Sequence, residues 1–330
     1  MRYRAWVVET AGGSFIEREM PRVAPKPGEV LVRIAASGVN PLDTKVRAGK
    51  AEHARQPLPA VLGLDVAGTV EEAGAGVSTF KPGDEVFGMV GGVGGLQGTL
   101  AEFVVADVRL LARKPRNLSM REAAALPLST ITAWEGLVDR AGVRTGQKVL
   151  IHAGAGGVGH LAVQVARAFG AEVFATVSTS KKRIVESYGA TPIDYHASTV
   201  EEYVRAYTGG AGFDIVYDTV GGATLDASFA AVKRYTGHAL SCLGWGSHAL
   251  APLSFRGATY SGVFTLLPLL TGEGREHHGE ILERAAELAE QGKLKPLLSA
   301  RRFSTAEITE AHAEVEAGST GKVVVEIIAE

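Results

Sequence analysis

The distribution of hydrophobic and polar residues changes near residue 120. Before that point, short apolar stretches are separated by proline and glycine turns such as Lys26-Pro27-Gly28 and Lys81-Pro82-Gly83-Asp84. Many short strands joined by such turns are typical of a distorted β-barrel. The predicted strands are Arg4–Glu9, Glu29–Ala36, Val66–Glu71, Glu85–Met89 and Ala101–Val105. We predict that Gly88–Gly98, which is rich in glycine, is a flexible surface loop.

Beyond residue 120, short apolar runs alternate with segments of helical pattern. The predicted strands are Val149–His152, Glu172–Thr176, Pro192–Tyr195, Asp214–Asp218, His238–Leu243 and Thr259–Phe264. The helices predicted between most of them are Val158–Phe169, Lys181–Tyr188, Val200–Tyr207 and Ala223–Lys233. Six strands with helical crossovers predict a doubly wound parallel sheet.

The last part of the chain has two further predicted helices, Gly279–Gln291 and Thr305–Ala317, and a final strand, Lys322–Ile328. We expect this tail to return to the first unit. The predicted domains are therefore a discontinuous β-rich domain, residues 1–122 and 269–330, and a sheet domain, residues 123–268.

A glycine motif follows the first strand of the predicted parallel sheet. Gly154, Gly156 and Gly159 have the spacing G-x-G-x-x-G, between an apolar strand and a helix that ends at Gly170. In this context the glycines permit a tight turn, close approach of a pyrophosphate, and close packing of the helix on the strand. The anion then lies at a helix N-terminus. This motif predicts a dinucleotide site; the alternative is a mere tight turn.

The end of the second predicted strand bears on which dinucleotide binds. NAD sites usually have an acidic residue there, but this chain continues with Ser178-Thr179-Ser180-Lys181-Lys182-Arg183. Cations and hydroxyl groups suit a 2′-phosphate, which a carboxylate would repel. We therefore predict NADPH as the cofactor, with Tyr195 at the end of the third strand as a further contact. The alternatives are a solvated basic helix start and a tyrosine that only ends its strand.

Composition narrows the function further. The chain has 330 residues, a formal net charge of −2 and one cysteine, Cys242, which lies in an apolar run. A near-neutral charge argues against nucleic acid as a partner. The chain has no long apolar run and its N-terminus lacks the apolar core of a signal peptide, so we expect neither membrane insertion nor export. These features predict a cytoplasmic protein in which Cys242 is a small buried residue.

Six segments together resemble a known family. They are SGVNPLDTKVRAG (37–49), PAVLGLDVAGTV (59–70), AAALPLSTITAWEGL (123–137), HAGAGGVG (152–159), YDTVGG (217–222) and GKVVVEI (321–327). Nearly end to end, the chain resembles the zinc-independent quinone oxidoreductases of the medium-chain dehydrogenase/reductase superfamily. The resemblance implies an α/β protein with a GroES-like β-rich domain and a Rossmann domain whose doubly wound parallel sheet has six strands.

The resemblance also implies roles for individual residues. Asn40 would lie near the nicotinamide and its ribose, and Thr130 or Thr132 would bond the carboxamide. The remaining cofactor residues would be Gly156, Gly157 and Val158 at the pyrophosphate, Ser178, Lys181 and Tyr195 at the 2′-phosphate with Lys182 as the adjacent alternative, and Leu243 and Gly244 beside the nicotinamide. The alternatives are an Asn-Pro turn for Asn40 and satisfied helix hydroxyls for the threonines.

One residue departs from the pattern of the relatives, and the residues at the positions of their zinc ligands exclude a zinc site. Lys45 stands where several relatives have a tyrosine that lines the substrate pocket, so it is either an active-site lysine or a solvated one. Zinc-dependent relatives need a Cys/His/Cys-type site, whereas their Gly-His-Glu is Gly63-Leu64-Asp65 in this chain. We predict no metal site, with Asp65 bonding backbone N–H groups and His277 and His278 pointing in different directions.

The function that these features predict is hydride transfer from NADPH to a quinone or an α,β-unsaturated carbonyl, with Asn40, Lys45 and Thr132 as candidate catalytic residues. Two alternatives remain: an enoyl-thioester reductase on the same scaffold, and a non-catalytic NADPH-binding sensor or structural protein. We also predict a homodimer that pairs through the exposed edge of the last Rossmann strand, Thr259–Phe264.

Overall fold

The computed structural model describes residues 2–328, which form two compact units. The described residues up to Ile131 and from Leu266 onward form the first unit, and Thr132–Thr265 form the second. The tail of the chain therefore returns to the first unit, as predicted. The finer domain bounds, 1–122 with 269–330 and 123–268, stay a prediction.

The first unit is built mainly from antiparallel strands. Its strands are β1 (Arg2–Val8), β2 (Phe15–Pro21), β3 (Glu29–Val39), β4 (Ala60–Val61), β5 (Asp65–Ala73), β6 (Glu85–Met89), β7 (Phe103–Asp107) and β8 (Leu111–Arg113). Its first helices are α1 (Pro41–Arg47) and α2 (Met120–Ala124), and α3 (Pro127–Trp134) runs into the second unit.

The second unit alternates strands and helices. A π-helical turn, Glu135–Arg140, precedes β9 (Lys148–Ile151), α4 (Gly159–Ala168), β10 (Glu172–Val177), α5 (Lys182–Ser187), β11 (Thr191–Asp194), α6 (Val200–Thr208), β12 (Ile215–Asp218), α7 (Ala223–Ala231), β13 (His238–Ser241), α8 (Ala251–Ser254) and β14 (Thr259–Gly262). The first unit then resumes with α9 (Leu267–Thr271), α10 (Arg275–Glu290), β15 (Phe303–Ser304), α11 (Ile308–Glu316) and β16 (Val323–Glu326).

The second unit is a single six-stranded parallel sheet with the strand order β11-β10-β9-β12-β13-β14. The order reverses between β9 and β12, so the predicted doubly wound sheet is confirmed. Its central strands are continuous apolar runs because helices cover both faces of such a sheet; all four residues of β12 are buried. In folds of this kind, ligands bind at the carboxyl ends of the strands where the order reverses.

The first unit has two sheets: a three-stranded sheet, β2-β1-β4, and a seven-stranded sheet, β15-β16-β3-β5-β6-β8 with β7 on β3. The register of β16 on β3 pairs Val323 with Val39 and Glu326 with Ala36. The last strand of the chain therefore lies beside the segment that leads into α1.

The glycine-rich segment 88–98 was predicted wrongly as a flexible surface loop. Most of it is buried. A Cβ on Gly91 would lie 1.8 Å from the carbonyl oxygen of Gln97, and one on Gly98 would lie 2.3 Å from that of Leu62. Glycine is needed there because backbone packs directly on backbone, and not because the segment is exposed.

No helix among residues 2–328 is both long and apolar enough to cross a membrane.

Candidate functional site

The glycine turn between β9 and α4 is held by contacts that only glycine permits. A Cβ on Gly159 would lie 2.1 Å from the carbonyl oxygen of Ala153, and a Cβ on Gly154 would lie 2.5 Å from Cβ of Ala175. The Gly156 N–H donates to Ala153 O at 2.8 Å, and Ala153 itself has a φ of 51°. The turn thus brings the amino end of α4 directly against the carboxyl end of β9.

This turn presents hydrogen-bond donors. Within residues 2–328, the N–H groups of Gly157 and Val158 donate to no protein acceptor, although both lie at the start of α4. Unused N–H groups at a helix N-terminus are the arrangement that binds a pyrophosphate, because the donors and the helix dipole both favour an anion. The three predicted pyrophosphate residues, Gly156, Gly157 and Val158, therefore lie together and fit a dinucleotide.

The carboxyl ends of β10 and β11 bring together cations, hydroxyl groups and one acid. Val177 pairs with Asp194 in the parallel register, which places Asp194 beside Ser178. The Lys182 ammonium lies 3.4 Å from Oδ2 of Asp194, and the Thr179 hydroxyl donates to the same oxygen. The hydroxyl of Thr179 is the main cause that lowers the pKa of Asp194, so this carboxyl is ionised at neutral pH.

Lys181 differs from its neighbour Lys182. Its side chain is half-buried and forms no ion pair within the described chain. Tyr195 is 54% exposed and its ring lies 4.1 Å from that of His196. Of these two lysines, Lys181 and not Lys182 is therefore left available to a ligand at this edge.

Asp194 is a residue that the sequence reasoning missed. That reasoning searched for an acid only at the end of the second strand, whereas this one ends the third strand. The signal was present, because the carboxyl ends of neighbouring parallel strands meet at one edge of a sheet.

The carboxyl ends of β12 and β13 form the next part of the edge. The Asp218 carboxylate accepts from the N–H groups of Val220 and Gly221 at 3.0 Å and from the Ser241 hydroxyl at 2.7 Å. Ser241 Oγ in turn accepts from the Leu243 N–H at 3.0 Å. These bonds fix the backbone that leads to Leu243 and Gly244, the two residues predicted beside the nicotinamide.

Cys242 lies in the same segment. Burial is the main cause that raises the pKa of its thiol to about 12, with the nearby charge of Asp218 adding to it. Cys242 is therefore a neutral thiol at neutral pH. The residue as a whole is partly exposed, so the predicted small buried residue is confirmed only in part.

The two candidate threonines have different surroundings. Thr132 is buried, its hydroxyl lies 3.5 Å from that of Thr265, and its carbonyl accepts from the Tyr217 hydroxyl at 2.7 Å. The Thr130 hydroxyl is buried and has no hydrogen-bond partner among residues 2–328. An unsatisfied buried hydroxyl is costly, so Thr130 is not the satisfied helix hydroxyl that was the alternative for it.

A buried polar cluster in the first unit surrounds Asn40, the first residue of the predicted catalytic set. The Asn40 amide nitrogen donates to Asp65 at 2.9 Å, and its amide oxygen accepts from the Lys322 ammonium. Lys322 Nζ also lies 3.9 Å from the Asp65 carboxylate. The Asn40 N–H donates to Asp43 at 2.8 Å. We call Asn40, Asp43, Asp65 and Lys322 the buried cluster.

The charges of the buried cluster are unequal, since it holds two carboxyl groups and one ammonium. Burial raises the pKa of Asp43 to about 7 and raises that of Asp65, while Lys322 and Asn40 act in the opposite direction on Asp65. Burial also lowers the pKa of Lys322. The prediction that Asp65 bonds a backbone N–H is confirmed, because it accepts from Leu128 at 2.9 Å.

Lys322 is the second residue that the sequence reasoning missed. It was counted only as the start of the last strand, but it is 4% exposed and bonds Asn40, which lies 282 positions earlier. The available signal was a lysine at the head of an otherwise apolar strand, since lysine is almost never fully buried without a partner.

Lys45 is exposed, in contrast to the residues of the buried cluster. It lies on α1, next to the buried residues Thr44 and Val46. Its charge contributes, after burial, to the lowered pKa of His53.

Within the part of the chain that the structure describes, no group of three or more His, Cys, Asp and Glu side chains is placed to hold a metal ion. His278 is buried, whereas the side chain of its neighbour His277 is 46% exposed and contacts Glu280. The two rings therefore do point in different directions, as predicted.

Comparison with known proteins adds to this geometry. A family model described as the alcohol dehydrogenase GroES-like domain matches residues 26–116, and one described as zinc-binding dehydrogenase matches residues 188–325. The chain is similar to 2-methylene-furan-3-one reductase of Solanum lycopersicum, with 38% identity over 309 residues covering 91% of this chain and 72% of that protein. It is also similar to the chloroplastic NADPH-dependent alkenal/one oxidoreductase of Arabidopsis thaliana, with 35% identity covering 98% of this chain and 79% of that protein.

Among solved structures, an alcohol dehydrogenase superfamily protein from Novosphingobium aromaticivorans is 56% identical. The two structures superpose with a TM-score of 0.97, covering 99% of this chain and 100% of that one.

Proposed function

The chain belongs to the quinone and alkenal oxidoreductases of the medium-chain dehydrogenase/reductase superfamily, and we propose that it reduces quinones or α,β-unsaturated carbonyl compounds with NADPH. The observation that carries the proposal is the glycine turn, whose Gly157 and Val158 N–H groups lack protein acceptors within the described chain. The names of the two plant relatives support an enone or alkenal acceptor.

The second unit would hold the cofactor. Gly156, Gly157 and Val158 would bind the pyrophosphate, and Leu243 and Gly244 would border the nicotinamide. Ser178, Lys181 and Tyr195 would contact the 2′-phosphate. The name of the Arabidopsis relative, an NADPH-dependent enzyme, supports this choice. The reduced nicotinamide, when bound, would supply a hydride for the electron-poor carbon of the acceptor.

The protein's own part in the reaction is orientation and charge control. Thr130 has a buried hydroxyl with no acceptor or donor in the described chain, and we assign it to the cofactor carboxamide. Asn40 would act from a fixed position, because Lys322 and Asp65 hold the two ends of its amide. Lys45 and Thr132 are the candidate groups for delivering or orienting the proton at the acceptor oxygen.

The proposal is tested by following the loss of NADPH absorbance with phenanthrenequinone, with methyl vinyl ketone and with crotonyl-CoA. We expect turnover of the quinone or of the small enone. Turnover of crotonyl-CoA alone would make the protein an enoyl-thioester reductase. Tight NADPH binding without turnover of any acceptor would leave a non-catalytic NADPH-binding protein and refute the proposal.

We further propose that the protein is a homodimer that pairs through β14. That strand bonds β13 on one side, and none of the other strands of residues 2–328 pairs with its outer side. An exposed edge is normally covered or paired. A dimer mass in light scattering is expected, and a monomer mass at micromolar concentration would contradict it. A cytoplasmic location stays a prediction, since one relative is chloroplastic.

A further inference from the structure

Two exposed aromatic side chains lie together at the carboxyl edge of the parallel sheet. Trp245 is 51% exposed and Phe264 is 36% exposed, and their ring centroids are 5.9 Å apart at an angle of 82°. The other two tryptophans of the chain, Trp6 and Trp134, are 5% and 8% exposed. Trp245 is therefore the one tryptophan of this protein whose ring faces solvent.

The position of the pair follows from the sheet. Ser241, the last residue of β13, pairs with Gly262, the last residue of β14. Trp245 follows the first of these strand ends by four residues and Phe264 follows the second by two. Both rings therefore lie at the edge where folds of this kind bind their ligands, and Trp245 is adjacent to Gly244.

The loop that carries Trp245 is anchored at both of its ends. On one side, the backbone at Gly244 passes close to Tyr260, whose hydroxyl would lie 2.3 Å from a Cβ at that position. On the other side, His248 contacts Asp226 at 2.8 Å and packs edge-on against Phe229. These contacts hold Trp245 in place although its ring is exposed.

We propose that Trp245 and Phe264 bind the flat aromatic ring of an acceptor in which that ring is conjugated with the reducible bond, and so determine substrate selectivity. Such a ring packs edge-to-face or offset against aromatic side chains, and its binding removes their apolar surface from water. This inference rests on the proposed function and adds the kind of acceptor. A small aliphatic enone has no ring with which to use these contacts.

The first test compares two enones, benzylideneacetone and methyl vinyl ketone, by the ratio of their kcat/KM values. In Trp245→Ala the ratio is expected to fall by about tenfold, because ring contacts specific to the aryl compound are lost. Trp245→Phe should retain most of the ratio, and Trp245→Leu should not. A ratio within twofold of wild type in Trp245→Ala would overturn the proposal, and equal ratios in the leucine and wild-type proteins would overturn the role of a planar ring.

A matched control is available on the same unit. Phe255 is 87% exposed and precedes the amino end of β14, so it lies towards the opposite edge of the parallel sheet. Phe255→Ala is expected to leave the selectivity ratio unchanged. A similar fall in Phe255→Ala would show that the loss reflects general exposed aromatic surface, which would contradict the assignment to Trp245.

The second test does not depend on turnover. Benzylideneacetone is added to the protein with NADP⁺, and tryptophan fluorescence is followed in wild type and in Trp245→Phe. Saturable quenching in wild type that is lost in Trp245→Phe is expected. Quenching that persists in the variant, or no saturable quenching in wild type, would overturn the inference.

If no acceptor is turned over, the proposed function fails while this binding test still decides the inference. Loss of the dimer in Trp245→Ala without any change in the selectivity ratio would instead make the pair an interface between two copies. That result would overturn the proposal.

Discussion

Two of the lysine–aspartate pairs among the described residues, Lys322–Asp65 and Lys182–Asp194, share the same chemistry but differ in burial. Lys322 and Asp65 lie 3.9 Å apart, and their side chains are 4% and 0% exposed. Lys182 and Asp194 lie 3.4 Å apart, with side chains 37% and 8% exposed. The shorter pair is the more exposed one, so distance alone does not rank their importance.

The difference lies in what would replace each partner. Water can solvate Lys182 if Asp194 is lost, whereas around the buried Lys322 only the amide of Asn40 and the carboxyl group of Asp43 would remain. Charges removed from water are costly unless they are paired and hydrogen-bonded, while an exposed pair is screened and contributes little. The buried pair should therefore determine stability and the position of Asn40, and the exposed pair should contribute little to stability.

The largest expected effect comes from breaking the buried pair. Lys322→Met leaves the Asp65 carboxylate buried without its cation, and we expect the free energy of unfolding to fall by about 3–5 kcal/mol. Urea unfolding followed by circular dichroism measures this change.

The control removes both charges. Lys322→Met combined with Asp65→Asn should recover much of the lost stability, because a buried pair replaced by neutral groups is often tolerated. If Lys322→Met alone unfolds with a free energy within about 1 kcal/mol of wild type, the comparison between the two pairs fails.

The next effect is the contribution of Asp43, in the buried cluster, to the pH dependence of stability. Burial raises the pKa of Asp43 to about 7 from the 3.8 of the unfolded chain, so the folded state binds more protons between these values. The contribution of Asp43 to the free energy of unfolding should then decrease as pH rises through this range, and should level off above it. Burial lowers the pKa of His152 to about 4 and that of His312 to about 3, so these two residues contribute in the opposite direction. The contribution of Asp43 is therefore measured as the difference in the free energy of unfolding between wild type and Asp43→Asn, from acidic to mildly alkaline pH.

Asp194→Asn is the matched variant for that series. The pKa of Asp194 is lowered by the Thr179 hydroxyl, so any stability from its ionised form is already present above the ordinary aspartate pKa. In the pH range where Asp43→Asn departs from wild type, the free energy of unfolding of Asp194→Asn should follow that of wild type. An equal departure in both variants would mean that Asp43 is not the source of this pH dependence.

The third effect is on cofactor binding and not on stability, and it comes from replacing Lys181. We expect Lys181→Ala to weaken NADPH binding by about tenfold or more, the size of one charge-assisted hydrogen bond, and to leave NADH binding nearly unchanged. Fluorescence titration with each cofactor measures both constants. Lys182→Ala is the control and should have the smaller effect, because Asp194 already engages that ammonium. Equal losses for the two cofactors in Lys181→Ala would contradict a 2′-phosphate site.

How much the sequence predicted depends on whether the relevant contacts are local. The central strands of the parallel sheet were predicted because they are short, largely apolar and buried segments between turn residues, as in β9 and β12. By contrast β2, with the sequence FIEREMP, was missed, since nearly all of its residues are exposed and it gains its place by pairing with β1. The glycine turn was predicted in full because strand, glycines and helix are adjacent in the chain.

The missing parts of the site are non-local. The bond between Lys322 and Asn40 spans nearly the whole chain, and Asp194 meets Val177 only through strand register. The Gly88–Gly98 segment was predicted wrongly because composition does not distinguish glycines that give flexibility from glycines that permit close backbone packing, as at Gly91.

The smallest stability effect, and the sharpest check on the exposed pair, is Asp194→Asn. Its partner Lys182 remains solvated, so the free energy of unfolding should change by no more than about 1 kcal/mol. The variant also removes a negative charge beside the proposed 2′-phosphate contacts and releases the Lys182 ammonium. NADPH binding should therefore tighten relative to NADH, in the direction opposite to Lys181→Ala. The two changes are measured on one preparation by urea unfolding and by cofactor titration. A loss of NADPH affinity would show that Asp194 instead orients Lys182 for the phosphate. The exposed pair would then serve cofactor binding, whereas the buried pair serves the stability of the fold.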